Sequence, residues 1–170
     1  IIGKKGQQHK MKKIAFVTGM TGQDGPYLAK HLLENDYKVY GLVKRYSNPN
    51  LSNLAYLGIE NKIELITGDI TDDSNMNHLI KTLRPNEFYN LAAQSFVGAS
   101  WELNKTTTEV NALGVLNILN AIVGHNPTTK FYQASTSELY GNANVNGVQD
   151  EKTPFRPRSP YGISKLYAYW

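Results

Sequence analysis

The feature that most constrains this chain is its alternation of short apolar runs with longer amphipathic stretches, kept up from Met11 to about Ala134. Parallel strands need a long crossover between one and the next, and a helix is the usual crossover. A regular alternation of this kind therefore predicts an α/β fold, a doubly wound parallel sheet with helices on both faces. Lys12 to Thr18 (KKIAFVT) reads as a first strand buried on both sides. Pro26 to Asn35 reads as the helix that follows, with Tyr27, Leu28, His31 and Leu32 along one side. Further strands are expected at Lys38 to Val43, Ile63 to Thr67, Glu87 to Asn90 and Lys130 to Ala134. Between them come a short helix at Leu51 to Leu57 and a helix at Asp73 to Leu83 that stops at the Arg84-Pro85 break. A long helix over Thr107 to Val123 should turn Val110, Leu113, Leu116, Ile118 and Leu119 inward.

Composition matters for what it excludes. A chain of 170 residues supports one domain. It contains no cysteine, so disulfides, thiolate metal sites and a cysteine nucleophile are out, and its four scattered histidines do not suggest a metal site. Three of the four excess positive charges are Lys4, Lys5 and Lys10, in a polar stretch from Ile1 to Lys10 that precedes Met11. That stretch reads as a leader apart from the fold, and the charge it carries does not argue for nucleic-acid binding. No apolar run approaches the roughly 18 residues that a membrane span needs, so no membrane partner is expected and a cytoplasmic location is the simplest inference. The domain reads as Met11 to Trp170, broken only by a loop-rich tract from Asn142 to Pro160 in which Asn142 to Gly147 suggests a mobile connection. Tyr161 to Trp170 opens a helix with no capping signal behind it, as in a chain cut short.

The first chemical motif is Gly19-Met20-Thr21-Gly22-Gln23-Asp24-Gly25, a GxxGxxG set between the first strand and the first helix. Glycines there let the backbone turn tightly, approach a pyrophosphate and offer it free amide groups at a positive helix end. The motif points to a dinucleotide held by Gly19, Thr21, Gly22, Gln23, Asp24 and Gly25, and to a Rossmann-type sheet. The end of the second strand reads Val43-Lys44-Arg45-Tyr46-Ser47, with no acid to take free ribose hydroxyls. Arg45 offers a planar fork suited to a 2′-phosphate and Lys44 adds a point charge, which favours NADP over NAD. Asp69-Ile70 follows the third strand, where the aspartate reads either as a cofactor contact or as a helix cap. The small residues of Asn90-Leu91-Ala92-Ala93-Gln94-Ser95 suit either tight strand packing or close passage of the backbone along a cofactor.

After the fifth strand comes Ser135-Thr136-Ser137-Glu138-Leu139-Tyr140-Gly141, and then Ser159-Pro160-Tyr161-Gly162-Ile163-Ser164-Lys165. The YxxxK spacing puts Tyr161 and Lys165 one turn apart on one helix face. A lysine ammonium so placed favours phenolate and suits Tyr161 to act as a base, while the Thr136 hydroxyl can hold a substrate oxygen. Glu138 adds a carboxylate, which oxidation of an alcohol does not need and removal of a carbon-bound proton does.

With the glycine spacing, Tyr161, Lys165 and Thr136 in this order, the chain resembles the extended short-chain dehydrogenase/reductase family. Ser137-Glu138, with Phe131-Tyr132-Gln133-Ala134 and Pro157-Arg158-Ser159-Pro160-Tyr161, resembles its GDP-mannose 4,6-dehydratase branch over nearly all of Met11 to Trp170. Pro26 departs from that pattern, where serine is more familiar, and the leader has no counterpart. The resemblance implies an NADP-dependent hydro-lyase acting on GDP-mannose. Thr136, Glu138, Tyr161 and Lys165 would be catalytic, with Ser95, Ser137 and Glu138 on the sugar. Asp69, Ile70, Leu91, Ala92, Ala93, Tyr161 and Lys165 would lie along the cofactor. Tyr161 would take the C4 hydroxyl proton as hydride is lent to NADP, Glu138 the C5 proton, and water would leave from C6 before the hydride returns. The resemblance also implies a homo-oligomer, with Lys44 to Asn50 a candidate contact loop, and a substrate-binding region beyond Trp170. An epimerase or reductase of the same family, or a module that binds cofactor without activity, remain the alternatives.

Overall fold

In a computed structural model, which describes residues 11–45, 49–142 and 147–170, the apolar runs become five parallel strands. These are β1 (Ile14–Val17), β2 (Lys38–Val43), β3 (Glu64–Thr67), β4 (Glu87–Asn90) and β5 (Lys130–Gln133). They lie in the order β3-β2-β1-β4-β5. The chain builds outward from β1 on one side, then returns and builds outward on the other. The strand order reverses between β1 and β4, where the crossovers leave a crevice at the carboxyl ends of the strands. Phe16 pairs with both Tyr40 and Phe88, and Phe88 with Phe131. The Phe16 and Phe88 rings meet edge to face at 5.0 Å.

Helices cover both faces. α1 (Asp24–Glu34) and α2 (Ser52–Tyr56) place Ala29, Leu32 and Leu54 against Ala15, Val17 and Val39. On the other face α3 (Asp73–Leu83) and α5 (Gly114–His125) place Met76, Ile80, Ile118 and Ile122 against Phe16 and Phe88. α4 (Asn104–Thr108) runs into α5 through one wider turn, Glu109–Leu113, and α6 (Pro160–Tyr169) ends the chain. The leader Ile1 to Lys10, Tyr46 and Ser47 of the second-strand motif, 46–48 of the 44–50 contact loop and 143–146 of the expected mobile connection lie outside the described residues.

Two helix faces differ from the periodicity reading. In α1 the buried set is Gly25, Pro26, Ala29 and Leu32, while Tyr27 and His31 are exposed. The helix begins at Asp24, and the missing side chain of Gly25 lets it pack its first turn on Gly19 and Met20, which sets the phase of the rest. In the long helix Val110, Val115 and Ile118 are buried but Leu113 and Leu116 are exposed. The π-type turn Glu109–Leu113 carries more residues per turn than an α-helix, so the inward face is shifted and Asn111 and Ala112 point in.

Helix α3 shows how local chemistry sets a boundary. Asp72 caps it, its carboxylate accepting from the Asn75 backbone N–H at 2.9 Å. Arg84 ends it in the left-handed region (φ 45°), just before Pro85. Asp72→Ala is expected to cost about 1 kcal/mol of stability, read as a lower urea midpoint with an unchanged slope; an unmoved midpoint would mean that the cap adds nothing.

Candidate functional site

At the reversal point the structure opens a cavity of about 620 Å³. Its floor is the glycine-rich turn, where Gly19, Thr21, Gly22, Gln23, Asp24 and Gly25 line it between β1 and α1. Gly19 adopts φ 72°, which a side chain would strain, and a Cβ on it would sit 2.9 Å from the Leu91 backbone. A Cβ on Gly25 would sit 2.7 Å from the Gly19 carbonyl oxygen. Both glycines are there because two backbones meet, which is the cradle that a pyrophosphate needs. Asn53 of α2 donates to the Gly22 carbonyl at 2.8 Å and ties the turn down from outside.

The walls contain Asp69 and Ile70 after β3, and Leu91, Ala92, Ala93 and Ser95 after β4. Thr18 explains the second wall: its hydroxyl accepts from the Leu91 and Ala92 backbone N–H groups at 3.1 and 3.0 Å and bends the chain across the top of β1. Asp69 is not the cap of α3, since Asp72 takes that place. Its carboxylate accepts from the backbone N–H and hydroxyl of Thr71 and pairs with Lys44 at 3.3 Å. Burial alone would raise the Asp69 carboxyl, but these hydrogen bonds and the Lys44 charge outweigh it and hold it below the usual range.

The cavity also takes Leu42, Lys44, Gly68, Gln94, Thr106 and Val110 as lining, most of which the motifs did not single out. Leu42 and Gly68 stand at or just past the ends of β2 and β3, so their presence follows from the rule that ligands bind at carboxyl ends of strands. Thr106 comes from α4 and Val110 from the wider turn that follows it, and no motif marks either as cavity lining. Arg45, at the end of β2, is exposed and is not part of the wall, and neither are Thr136, Ser137, Glu138, Tyr161 and Lys165.

Those last residues form a separate cluster. Ser159 caps α6, its hydroxyl accepting from the Gly162 N–H at 3.0 Å, with Pro160 preset for the first turn. Gly162 decides what the helix lies against: a Cβ there would be 2.9 Å from the Glu138 carbonyl oxygen, so its absence lets α6 rest on the turn Ser137–Leu139. Thr136 starts that turn, its hydroxyl accepting from the Glu138 N–H at 3.1 Å. Tyr161 and Lys165 are buried, at 7% and 4% exposure, and the ammonium stands 5.9 Å from the centre of the tyrosine ring. Lys165 donates to the Ala134 carbonyl at 2.9 Å, and burial pushes its amine down to about 8. Ser137 is exposed, while Thr136 and Glu138 are half-buried. Among the described residues no group of His, Asp and Glu could hold a metal ion, and no helix is long and apolar enough to cross a membrane.

A parallel sheet in this order, with a glycine-rich turn at its reversal point and a Tyr-Lys pair on the last helix, defines a Rossmann-type protein of the extended short-chain dehydrogenase/reductase class. Solved structures agree. A Thermotoga maritima UDP-glucose 4-epimerase superposes with TM-score 0.79 at 28% identity, over 91% of this chain and 48% of that one. A Bacillus anthracis dTDP-glucose 4,6-dehydratase in complex with NAD superposes at 0.76 and 26%, over 92% and 48%. Within that class the chain belongs to the GDP-mannose 4,6-dehydratase family, whose model matches residues 16–170. GDP-mannose 4,6-dehydratases of Yersinia enterocolitica and Homo sapiens are 48% and 46% identical, over 94% and 97% of this chain and 44% and 46% of theirs. The chain spans less than half the length of these relatives.

Proposed function

We propose that this chain is the cofactor-binding half of an enzyme that dehydrates GDP-mannose to GDP-4-keto-6-deoxymannose with NADP. The observation that carries the reading is the seat of Glu138: Gly162 lets the helix of Tyr161 and Lys165 rest on the backbone of the turn that bears this glutamate. The relatives named as GDP-mannose 4,6-dehydratases support the substrate.

The cradle fits a dinucleotide. The turn Gly19 to Gly25 would hold the pyrophosphate on backbone N–H groups, Asp69 and Ile70 the adenine, and Leu91, Ala92 and Ala93 the inner end, toward Tyr161 and Lys165. The NAD complex of the Bacillus anthracis neighbour supports a nicotinamide cofactor. When bound, the nicotinamide lends a place for a hydride taken from the sugar and later returned. Tyr161 takes the C4 hydroxyl proton, with Lys165 favouring its phenolate and Thr136 holding the same sugar oxygen. Glu138 takes the C5 proton that the C4 ketone acidifies, and water leaves from C6. Ser95 and Ser137 would bind the sugar. Incubating the protein at its natural length with GDP-mannose and NADP in heavy water tests this: a product lighter by one water and carrying deuterium at C5 is expected. A C4 epimer of unchanged mass would instead make it an epimerase.

The choice of NADP rests on the end of β2. Lys44 is already paired with Asp69, so Arg45 is left as the cation for a 2′-phosphate. Charge-assisted hydrogen bonds of this kind are worth about 1.5–3 kcal/mol. Arg45→Ala is therefore expected to weaken NADP⁺ roughly ten- to a hundredfold and leave NAD⁺ nearly unchanged, by calorimetric titration; equal losses for both would place the phosphate elsewhere. A cytoplasmic homo-oligomer fits the lack of cysteine and the exposed Leu113, Leu116 and Val123 on one side of the long helix.

A further inference from the structure

Among the described residues Lys165 is held by one acceptor, the Ala134 carbonyl, and that carbonyl is itself held. The Gln133 side-chain N–H donates to the same oxygen at 2.9 Å. Gln133 in turn accepts from the Asn90 amide at 2.8 Å, and Asn90 accepts from the Thr18 hydroxyl at 2.6 Å. The direction of this chain is determined. Thr18 accepts two backbone N–H groups, so its own proton must go to the Asn90 oxygen. Asn90 is thereby turned with its N–H toward Gln133, and Gln133 with its N–H toward Ala134. Thr18 and Asn90 are fully buried, so the bond between them is made away from water and is costly to break, while the links through Gln133 to Lys165 are half-buried.

We propose that Gln133 is a positioning residue for Lys165: it orients the carbonyl that holds the ammonium and links it, through Asn90 and Thr18, to the glycine-rich turn that begins at Gly19. The inference rests on the reading of Lys165 as the cationic partner of Tyr161. Neither the tyrosine-lysine spacing nor the cavity wall points to Gln133, which lies on β5 opposite Asn90 of β4. The segments packed on α6 carry Lys105, Glu109, Glu138, Arg156 and Arg158. Burial pushes Lys165 down, and the Ala134 carbonyl that holds its ammonium is the group Gln133 touches directly.

The test uses two variants of the protein at its natural length. Gln133→Glu keeps the shape and the oxygen that accepts from Asn90. It sets a carboxylate within about 6 Å of the ammonium, because both donors lie 2.9 Å from one oxygen. Carbon-13 enrichment at lysine Cε allows the Lys165 titration to be followed by NMR, its signal assigned by loss in Lys165→Met. Gln133→Glu is expected to move that titration up by about one pH unit. Gln133→Met, which leaves the carbonyl unanchored, is expected to lower kcat at least about tenfold, with KM and cofactor affinity within about twofold and the alkaline limb of the pH profile displaced. A Lys165 titration and an alkaline limb that match wild type in both variants overturn the proposal, whatever kcat does. If Gln133→Met fails to fold, Gln133→Leu, which likewise lacks the donor to the Ala134 carbonyl, takes its place. The NMR readout needs no substrate, so a shifted titration without turnover of GDP-mannose would uphold the role of Gln133 and remove the substrate reading.

Discussion

Replacing Tyr161 with phenylalanine is expected to lower kcat for GDP-mannose by about a hundred- to ten-thousandfold, the usual contribution of a placed acid/base, while cofactor affinity stays within a few-fold. Tyr161 is 7% exposed, in a helix packed on the turn before Gly114, so phenylalanine keeps the packing and loses only the hydroxyl. The wild-type pH profile should carry the mark of the same pair. Lys165 is pushed down to about 8 by burial, so it is charged below that pH and favours phenolate there. Above about 8 it loses its proton and that support with it, and kcat/KM of the free enzyme should fall. Near-parental turnover by Tyr161→Phe, with the alkaline fall intact, would mean that another group removes the proton.

The second large effect is expected at Gly25. A methyl group there would meet the Gly19 carbonyl oxygen at 2.7 Å and the Met20 Cα at 3.1 Å, and both are backbone atoms beneath a fully buried methionine. No flexible side chain can give way, so the first turn of α1 must lift off β1 or the glycine-rich turn must open. Overpacking of this kind costs about 1–3 kcal/mol, and the cradle it deforms is the one we propose for the pyrophosphate. Gly25→Ala is expected to weaken NADP⁺ by at least about a hundredfold in calorimetric titration, a loss near 3 kcal/mol, and to lower the melting temperature. Gly124→Ala, where nothing lies within 4 Å, supplies the comparison and should bind as the parent does. Parental affinity in Gly25→Ala would sink the assignment of this turn to the cofactor.

The proposed mechanism and the fold meet in a few short contacts. Thr18 closes the top of β1 and starts the hydrogen-bonded chain to Lys165, while the next residue, Gly19, opens the cradle. The glycine-rich turn and the lysine therefore share one support, which is how a site gains accuracy from strands rather than loops.

Much of this protein could be read from local sequence, because strand and helix periodicity and glycine-rich turns act over a few residues. The five parallel strands, the turn at Gly19 to Gly25 and the pairing of Tyr161 with Lys165 all lie within reach of a helical turn or a single strand. The tertiary structure decided what local patterns cannot carry. Leu113 and Leu116 look inward by spacing, yet the wider turn before α5 rotates them out. Asp69 could have capped α3, but Asp72 took the cap and left Asp69 for Lys44. Thr18 and Asn90 are 72 residues apart, and Asn90 and Gln133 are 43 apart. Only the strand order β1-β4-β5 sets those polar groups side by side, since hydrogen bonds across a sheet depend on which strands pair and in what register, and no local preference encodes that.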